Sequence, residues 1–507
     1  MFRRVATSAI RASAQRQRVA LQHNALRSYT VHNEAYKNPR SEKFSMTKIV
    51  ATIGPASESP EMTQKLTDEG LRIMRINFSH AEYSEALMRI NNLRACRGVH
   101  WSPSHNYNLR ATGKEIVLTT DDAFEEDGTA EKIYVTYKQL SNTVKPGDTV
   151  LLADGLIHLT VVAVENETDV RCLIHNTEEI GNRKGVNLPG LIVELPALSE
   201  KDKEDLDFGV KNDIDFIAAS FIRKPTDVLQ IRAFVDECVK KHHPPGYIAP
   251  KIISKIENLE GIQNFDAILE VSDGIMVARG DLGVEVPLQK VLTYQKHMVE
   301  KCNAAGKPVI VATQMLESML NNPRPTRAEV SDVGNAVLDG ADAVMLSGEV
   351  AQGKYPVESV RTMMTVIKEA DALLEHAKYQ FDWEPAQSDI ESVASSAVKT
   401  ANEMNAKLLI VLTDTGYTAR MVAKYKPAVP VMCFTPSKKI GRQLQIHRGL
   451  YPVVPEDSDR RPTAAEAIVA AKKMGWLVPG DRVVMVSADK LSDDLGKQTV
   501  MRVADVA

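Results

Sequence analysis

The sequence predicts an α/β protein whose largest part is a (β/α)8 barrel. From Thr47 onward, apolar strand-like runs alternate with helical patterns, as expected when crossover helices join parallel strands. Short strands separated by turn residues interrupt this alternation once, and a polar stretch around Trp383 marks a second boundary. We therefore expect two barrel segments at 46–112 and 198–382, an all-β insert at 113–197, and a C-terminal α/β domain at 388–507.

The composition fits a globular protein and excludes several classes of partner. The chain has 507 residues and a formal net charge of −4, so it should attract neither nucleic acid nor an anionic membrane. No apolar run approaches the roughly 18 residues that a spanning helix needs. The five cysteines lack CxxC spacing, which argues against a zinc site or a disulfide framework.

Residues 1–45 differ in character from the rest of the chain. Arginines recur from Arg3 to Arg27, before the first acidic residue, Glu34, and serine, alanine and apolar residues fill the gaps. This composition predicts a mitochondrial targeting peptide. The alternative is a disordered basic tail on a cytoplasmic enzyme.

A count of the barrel strands gives seven, whereas a closed barrel needs eight. Helix starts are clear on both sides of the insert: Ser59-Pro60 is a capping serine followed by proline, and Thr326-Arg-Ala-Glu329 is a capping box. The gap falls between Leu93 and Gly113, which contain no apolar run, so the third barrel strand is missing or altered. The strands that can be placed centre on Ile49, Met74, Ile217, Ile253, Met276, Val309 and Met345.

Strands outside the barrel fall into two groups. Those of the insert lie between Lys114 and Ile174 and are separated by turns such as Pro146-Gly-Asp. Those of the C-terminal domain are expected at Leu408–Leu412, Val429–Phe434 and Arg482–Val486.

Charged side chains follow two adjacent barrel strands. Lys255 and Glu257 are two residues apart and therefore share one strand face, and Asp281 follows the next apolar run through a glycine turn. An ammonium and two carboxylates at the carboxyl ends of strands suit a divalent cation and an anionic substrate. The alternative is a surface salt-bridge cluster.

Several longer motifs carry a family resemblance. They are Ala51-Thr-Ile-Gly-Pro-Ala-Ser, Arg75-Ile-Asn-Phe-Ser-His, Lys184-Gly-Val-Asn-Leu-Pro-Gly, Ile253-Ser-Lys-Ile-Glu-Asn, Met276-Val-Ala-Arg-Gly-Asp-Leu-Gly, Ala312-Thr-Gln-Met-Leu-Glu-Ser, Pro323-Arg-Pro-Thr-Arg-Ala-Glu and Asp339-Gly-Ala-Asp-Ala-Val-Met-Leu-Ser-Gly-Glu. Together they resemble the pyruvate kinase family, in order, from about Thr47 to the end of the chain.

The resemblance implies a fold and a reaction. The fold is a TIM barrel with an inserted small β-barrel lid domain and a C-terminal regulatory domain. The reaction is the glycolytic transfer of phosphoryl from phosphoenolpyruvate to ADP, giving pyruvate and ATP, with Mg²⁺ (or Mn²⁺) and K⁺ as cofactors. A homotetramer is also implied.

The resemblance assigns catalytic roles at the strand ends. Glu257 and Asp281 match the ligands of Mg²⁺, and Lys255 matches the lysine that stabilises the transferring phosphoryl group and the enolate. The backbone N–H groups of Gly280 and Asp281, with the hydroxyl of Thr313, match the site of the substrate carboxylate. The alternative for Thr313 is a helix cap.

A second set of residues is implied for phosphate, K⁺ and nucleotide. Arg75 matches a catalytic phosphate-binding arginine, whose planar fork suits a phosphate better than lysine does. Asn77 and Ser79 match two K⁺ ligands, the alternative being turn capping. The nucleotide would contact Arg75, Asn77, His80 and, from the lid, Lys184; the alternative for His80 is a packed histidine.

The C-terminal domain contains a candidate effector loop. Thr413, Thr415 and Thr418 lie between a strand and a helix, where hydroxyls and backbone N–H groups can hold a phosphate. In the family this loop binds a sugar-phosphate effector, and the alternative is helix capping. The second effector loop of the family is glycine-rich, whereas Leu491–Thr499 is short and acidic, which argues against control by fructose bisphosphate.

The gap in the strand count is the largest departure from the family. There the family carries an Asp-Thr-Lys-Gly-Pro-Glu-Ile-Arg-Thr-Gly run, which supplies two more K⁺ ligands and a second arginine, and nothing around Arg110 matches it. We favour a translated sequence damaged at this point, as by a misread splice junction. The alternative is a pyruvate kinase-like protein with impaired or no catalysis. A metal-dependent lyase of the same fold is disfavoured, because it needs neither a nucleotide lid nor the C-terminal domain.

Overall fold

The computed structural model describes most of the chain, and its elements follow the predicted alternation. The described residues are 2–7, 44–78, 83–95, 107–108, 113–124, 129, 131–152, 157–176, 179–180, 186–191, 198–374, 376, 386, 388–454, 462–492 and 496–507. None of the helices formed by these residues is long and apolar enough to cross a membrane.

The first helix of the first barrel segment begins at Pro60, as predicted. Ser59 accepts a hydrogen bond from the backbone N–H of Met62, Pro60 occupies the first turn, and Gly70 ends the helix with a φ of 127°. The elements before the insert are β1 (Phe2–Thr7), β2 (Lys48–Thr52), α1 (Pro60–Glu69), β3 (Leu71–Asn77) and α2 (Tyr83–Ala95).

The insert, predicted to be all-β, consists mainly of strands with their own apolar core and also contains a short α-helix and a 3-10 helix. Its described strands form a six-stranded sheet in the order β11-β7-β8-β9-β5-β6, and alternate residues such as Ile116, Leu118 and Leu159 are buried on one face. In chain order its elements are β4 (Tyr107–Asn108), β5 (Glu115–Thr119), a 3-10 helix (Asp122–Phe124), β6 (Lys132–Tyr134), α3 (Leu140–Thr143), β7 (Thr149–Leu152), β8 (Ile157–Val164), β9 (Asp169–Ile174), β10 (Glu179–Ile180) and β11 (Val186–Asn187).

The second barrel segment alternates strand and helix throughout, and the capping box at Thr326 and Glu329 is present. Its strands are almost wholly buried, as expected for parallel strands covered by helices. Its elements are α4 (Glu200–Lys211), β12 (Phe216–Ala219), α5 (Pro225–His242), β13 (Lys251–Ile256), α6 (Leu259–Gln263), α7 (Phe265–Val271), β14 (Gly274–Ala278), α8 (Arg279–Glu285), α9 (Leu288–Ala305), β15 (Val309–Ala312), a 3-10 helix (Glu317–Leu320), α10 (Arg327–Leu338), β16 (Ala343–Leu346), α11 (Gly348–Ala351) and α12 (Pro356–Leu373).

The barrel strands form a ring in the order β1-β12-β13-β14-β15-β16-β2-β3. The seven strands placed from the sequence are all present, and neighbours among them pair in parallel. Between Ala95 and Gly113 the structure describes only β4, which pairs with β10 rather than with the barrel. The predicted gap between β3 and β12 is occupied by β1, which runs antiparallel to both neighbours. This strand comes from the segment predicted to be a targeting peptide; residues 1 and 8–43 lie outside the described residues.

Alternate residues of the barrel strands pack on opposite sides of the ring. Ile73, Ile253 and Met276 belong to an inner cluster, whereas Ile252 and Ile275 pack outward against the helices. The alternation of side chains along each strand therefore determines which of its terminal side chains point into the barrel.

The C-terminal domain is an α/β unit with a five-stranded sheet in the order β19-β18-β17-β20-β21. The three strands predicted there are present, and β19 and β21 extend the sheet at its two edges. The elements are α13 (Asp389–Glu403), β17 (Leu408–Leu412), α14 (Tyr417–Lys424), β18 (Val431–Phe434), α15 (Lys438–Leu444), β19 (Leu450–Val453), α16 (Ala464–Lys473), β20 (Arg482–Ser492) and β21 (Gly496–Asp505).

Buried ion pairs attach the C-terminal domain to the amino end of the barrel. Lys426 Nζ lies 2.9 Å from Asp342 Oδ1, just before β16, and Arg448 Nη2 lies 3.0 Å from Asp371 Oδ1. Ile446 joins the inner barrel cluster. The carboxyl end of the barrel, where the candidate site lies, faces away from this contact.

Candidate active site

A buried ion pair at the end of β13 is the centre of the site. Ile253 belongs to the inner cluster, so Lys255 and Glu257 point the same way. The exposed fraction is 1% for Lys255 and 0% for Glu257. The Lys255 ammonium pairs with Glu257 Oε1 and donates a hydrogen bond to Ser220 Oγ at 3.1 Å. Such burial excludes the alternative of a surface salt-bridge cluster.

The second carboxylate oxygen of Glu257 is also held by a fixed donor. Glu257 Oε2 accepts a hydrogen bond from the backbone N–H of Phe221, in the loop after β12. Phe221 has a φ of 51°, a left-handed conformation that costs a bulky residue about 1–3 kcal/mol. The carboxylate is therefore oriented by its own strand, through Lys255, and by the loop after β12, through Phe221.

Gly280 brings the turn after β14 into direct contact with Thr313. A Cβ atom at residue 280 would lie 2.6 Å from Thr313 Cγ2, closer than any side chain tolerates. Thr313 follows β15 and has a φ of 78°. The next helix begins at Glu317 with Leu316 as its N-cap residue, so Thr313 is not a helix cap. Gly280 and Thr313, both predicted for the substrate carboxylate, therefore lie together.

Arg279 holds this arrangement and was missed by the sequence reasoning. It forms two hydrogen bonds of 2.6 Å to the carboxylate of Asp332 on α10, and its Nη2 donates to the carbonyl oxygen of Thr313 at 3.0 Å. This bidentate geometry is specific to arginine. The signal was present in the Met276–Gly283 motif, where Arg279 directly precedes Gly280.

Arg75 and Asn77 belong to the inward face of β3. Ile73 lies in the inner cluster, and the alternation along the strand continues to both residues. Arg75 is 2% exposed, and its Nη1 donates a hydrogen bond to Thr52 Oγ1 at 2.7 Å. Arg75 therefore reaches the mouth of the barrel from the strand beside the gap.

The predicted K⁺ and nucleotide ligands are only partly within the described residues. Asn77 Oδ1 is buried and has no hydrogen-bond donor among the residues that the structure describes. A neutral oxygen in this state suits a monovalent cation. Ser79, His80 and Lys184 lie outside the described residues.

The donor set suits a divalent cation held by few protein ligands. Glu257 and Asp281 come from adjacent strand ends, and Mg²⁺ usually takes one or two carboxylates and leaves its other positions to substrate and water. Among the described residues, no group of three or more His, Cys, Asp or Glu could hold a metal ion.

The candidate effector loop is held by its own hydroxyl groups. Thr413 Oγ1 accepts the backbone N–H of Gly416 at 2.9 Å, and Thr415 Oγ1 accepts that of Tyr417 at 3.4 Å. Thr418 is buried in the first turn of α14. These contacts match the capping alternative, and the phosphate-binding role stays a prediction.

The fold and the strand ends together define a class of protein. A buried ammonium, a buried inward arginine and two carboxylates lie at the carboxyl ends of strands of one β/α barrel. This set of side chains is typical of a barrel enzyme that binds a phosphate-bearing anion together with a divalent cation.

Comparison with known proteins assigns the family. Residues 44–102 and 101–360 match the model for the barrel domain of pyruvate kinase, and residues 391–504 match the model for its alpha/beta domain. The two barrel matches meet at residues 101–102, within the gap in the strand count. The chain belongs to the pyruvate kinase family.

Curated relatives agree over most of the chain. The pyruvate kinase of Trypanoplasma borreli is 44% identical over 473 residues, which cover 88% of this chain and 93% of the relative. That of Schizosaccharomyces pombe is 42% identical over 473 residues, covering 87% and 91%. That of Clostridium acetobutylicum is 43% identical over 464 residues, covering 87% and 95%.

Proposed function

We propose that this protein transfers the phosphoryl group of phosphoenolpyruvate to ADP, giving pyruvate and ATP in glycolysis. The buried pair of Lys255 and Glu257 at the carboxyl end of β13 carries the proposal. Membership of the pyruvate kinase family supports it. Phosphoryl transfer requires positioning and charge neutralisation, and this site offers both.

Glu257 and Asp281 would hold Mg²⁺ or Mn²⁺, which when bound neutralises charge on the phosphoryl oxygens. Lys255 pairs with Glu257, so its ammonium lies beside one of the two proposed metal ligands. When the phosphoryl group leaves, negative charge develops on the enolate oxygen, and Lys255 stabilises it in a site with little water. The enolate then takes up a proton at carbon to give pyruvate.

The remaining barrel residues would fix the substrate. Arg75 binds the phosphate from β3, while Thr313 and the N–H groups of Gly280 and Asp281 bind the carboxylate. Because Gly280 and Thr313 are in contact, one carboxylate can reach both. The fixed geometry holds the phosphoryl group ready for in-line transfer.

Other ligands follow from the family. We assign Asn77 and Ser79 to K⁺, and His80 and Lys184 with Arg75 and Asn77 to the nucleotide. The chain would assemble as a homotetramer, which light scattering of the purified protein tests.

The activity is tested with purified protein, phosphoenolpyruvate, ADP, Mg²⁺ and K⁺. We expect ATP and pyruvate to form in equal amounts, and their formation to stop when the metal is chelated. Lack of ATP from folded protein of this sequence would reject the proposal for this chain.

We infer that the gene encodes a third barrel strand that this translation lacks. The two matched segments of the barrel domain meet in the gap, and the pair of Lys255 and Glu257 is formed at the end of β13. Sequencing of the messenger RNA across codons 90–115 should show coding sequence for the family run. A transcript identical to the present sequence there would contradict the inference and favour the impaired enzyme.

We also propose import into mitochondria, on the basis of the arginine-rich segment 1–45. A fusion of residues 1–45 to a fluorescent protein should enter mitochondria. A diffuse cytoplasmic signal would favour the alternative of a basic tail.

A further inference from the structure

Helix α8 is held at both of its ends by other parts of the molecule. At its first residue, Arg279 binds Asp332 of α10 through two hydrogen bonds of 2.6 Å. At its last residue, Glu285 Oε1 accepts a hydrogen bond of 3.0 Å from Asn187 Nδ2, on β11 of the lid. Asp281 lies between these two attachments.

The contact between lid and helix is protected from water. Asn187 is 5% exposed, and Glu285 is half-buried. Burial raises the pKa of Glu285, and the hydrogen bond from Asn187 opposes that rise. A hydrogen bond to a carboxylate in such surroundings is stronger than one between neutral groups.

We propose that Asn187 and Glu285 are positioning residues that fix the lid relative to the metal-binding turn at Asp281. The proposal rests on the proposed function, in which Asp281 holds the cation and Lys184 of the lid meets the nucleotide. Asn187 and Lys184 belong to one sequence motif, Lys184-Gly-Val-Asn-Leu-Pro-Gly, and of these two residues only Asn187 is among the described ones. The contact thus aligns a nucleoside diphosphate carried by the lid with the cation on the barrel.

This arrangement predicts a difference between the two substrates. Lys255, Arg75 and Thr313, which would bind phosphoenolpyruvate, lie on barrel strands or at their ends and do not depend on the lid. A misplaced lid should therefore weaken the use of ADP and leave the binding of phosphoenolpyruvate nearly unchanged.

Exchange of the donor and acceptor tests the contact. In Asn187→Asp two carboxylates face each other, and kcat/KM for ADP should fall about tenfold or more. Glu285→Gln keeps an acceptor and should have a small effect. In the double variant N187D/E285Q the amide introduced on α8 can donate to the carboxylate introduced on β11, so most of the loss should be recovered. KM for phosphoenolpyruvate should stay within about twofold in all three.

The affinity for Mg²⁺–ADP, measured by calorimetric titration, gives a readout independent of turnover. It should be lowest in N187D, nearly unchanged in E285Q and mostly recovered in N187D/E285Q. The proposal is overturned if N187D binds and uses ADP as the unmodified protein does, or if N187D/E285Q is no better than N187D. The variant Asp281→Asn distinguishes an error in the role of the contact between Asn187 and Glu285 from an error in the proposed active site. If D281N loses activity while N187D does not, only the role of the contact is wrong; if D281N is fully active, the proposed site is wrong.

Discussion

Lys255 gives the most direct test of the site, because its ammonium is buried against a carboxylate. Lys255→Met keeps the length of the side chain and removes the charge. Turnover should fall at least about a thousandfold, since the phosphoryl and enolate charges lose their cationic partner. Steady-state ATP formation measures the loss, and circular dichroism should show an intact fold.

The thermal stability of the same variant tests whether Glu257 binds the metal. Glu257 is 0% exposed, so in K255M its carboxylate loses a buried cationic partner, and breaking a buried pair is destabilising. The thermal midpoint of K255M should therefore be low in EDTA and rise with Mg²⁺ more than in the unmodified protein. Lys251→Met is the matched control on the same strand: Lys251 pairs with Asp273, and its loss should leave turnover unchanged. Near-normal turnover of K255M would contradict the role of Lys255.

The close contact between Gly280 and Thr313 predicts that one added methyl group at residue 280 weakens the binding of phosphoenolpyruvate. In Gly280→Ala the new Cβ would lie 2.6 Å from Thr313 Cγ2, so the turn and Thr313 must separate. KM for phosphoenolpyruvate should rise about tenfold, because the carboxylate loses its fixed donors. KM for ADP should change little.

A second-site change provides the control for this variant. Thr313→Ser removes Cγ2 and keeps the hydroxyl, and the next atoms of residue 313 lie 3.5 Å or more from the new methyl group. The double variant G280A/T313S should therefore recover most of the affinity for phosphoenolpyruvate. If G280A/T313S is as weak as G280A, steric separation of the two residues is not the cause.

At the scale of elements, sequence periodicity predicted the strands that carry the site. The parity of β13 was enough to place Lys255 and Glu257 on one face, because side chains alternate strictly along a strand. It could not show that this face points into the barrel, which depends on the ring as a whole. The left-handed φ values of Phe221 and Thr313 were not predicted either, and the backbones of these residues bind Glu257 and Arg279, which are distant in the sequence.

The missed strands contain residues that are uncommon in the interior of a sheet and are found mainly on edge strands. β19 contains Pro452, and β21 is an edge strand with charged residues such as Lys497 and Arg502. Both edges of the C-terminal sheet were therefore hard to predict from propensity. β1 was excluded for a different reason, since its composition indicated a targeting segment.

One ring position cannot hold two strands, and this predicts the behaviour of β1. In the present chain β1 fills the place between β3 and β12 in an antiparallel direction. A chain with the parallel third strand of the family restored should displace β1. Amide hydrogen exchange should then show residues 2–7 protected in the present chain and unprotected in the restored one.

The restored chain also provides the functional control for this exchange. The family resemblance implies that this strand carries a second arginine and two further K⁺ ligands, so we expect stronger activation by K⁺ in the restored chain. Equal protection of residues 2–7 in the two chains would contradict displacement of β1.

At the scale of the whole molecule, the barrel and the C-terminal domain meet through buried charge. His447 lies 5% exposed in this contact, between α15 and β19. Asp342 and Lys251 face it from the barrel, and Arg420 and Lys426 face it from the C-terminal domain. A small cavity beside it is also lined by Asn303 and Lys307 of the barrel. Protonation of His447 would place another positive charge among cations that outnumber the one carboxylate.

Burial, followed by the opposing charge effects, lowers the pKa of His447 from 6.5 to about 3. Between these two values the unfolded chain binds a proton that the folded chain does not, so stability falls as the pH falls. From pH 6.5 to pH 5 this loss amounts to about 2 kcal/mol of unfolding free energy. His447→Gln removes the titrating group, so its thermal midpoint should fall less than that of the unmodified protein between pH 7 and pH 5. His297→Gln, at an exposed position on α9, should retain the full decrease. An unchanged pH dependence in H447Q would show that His447 does not link the domain contact to pH.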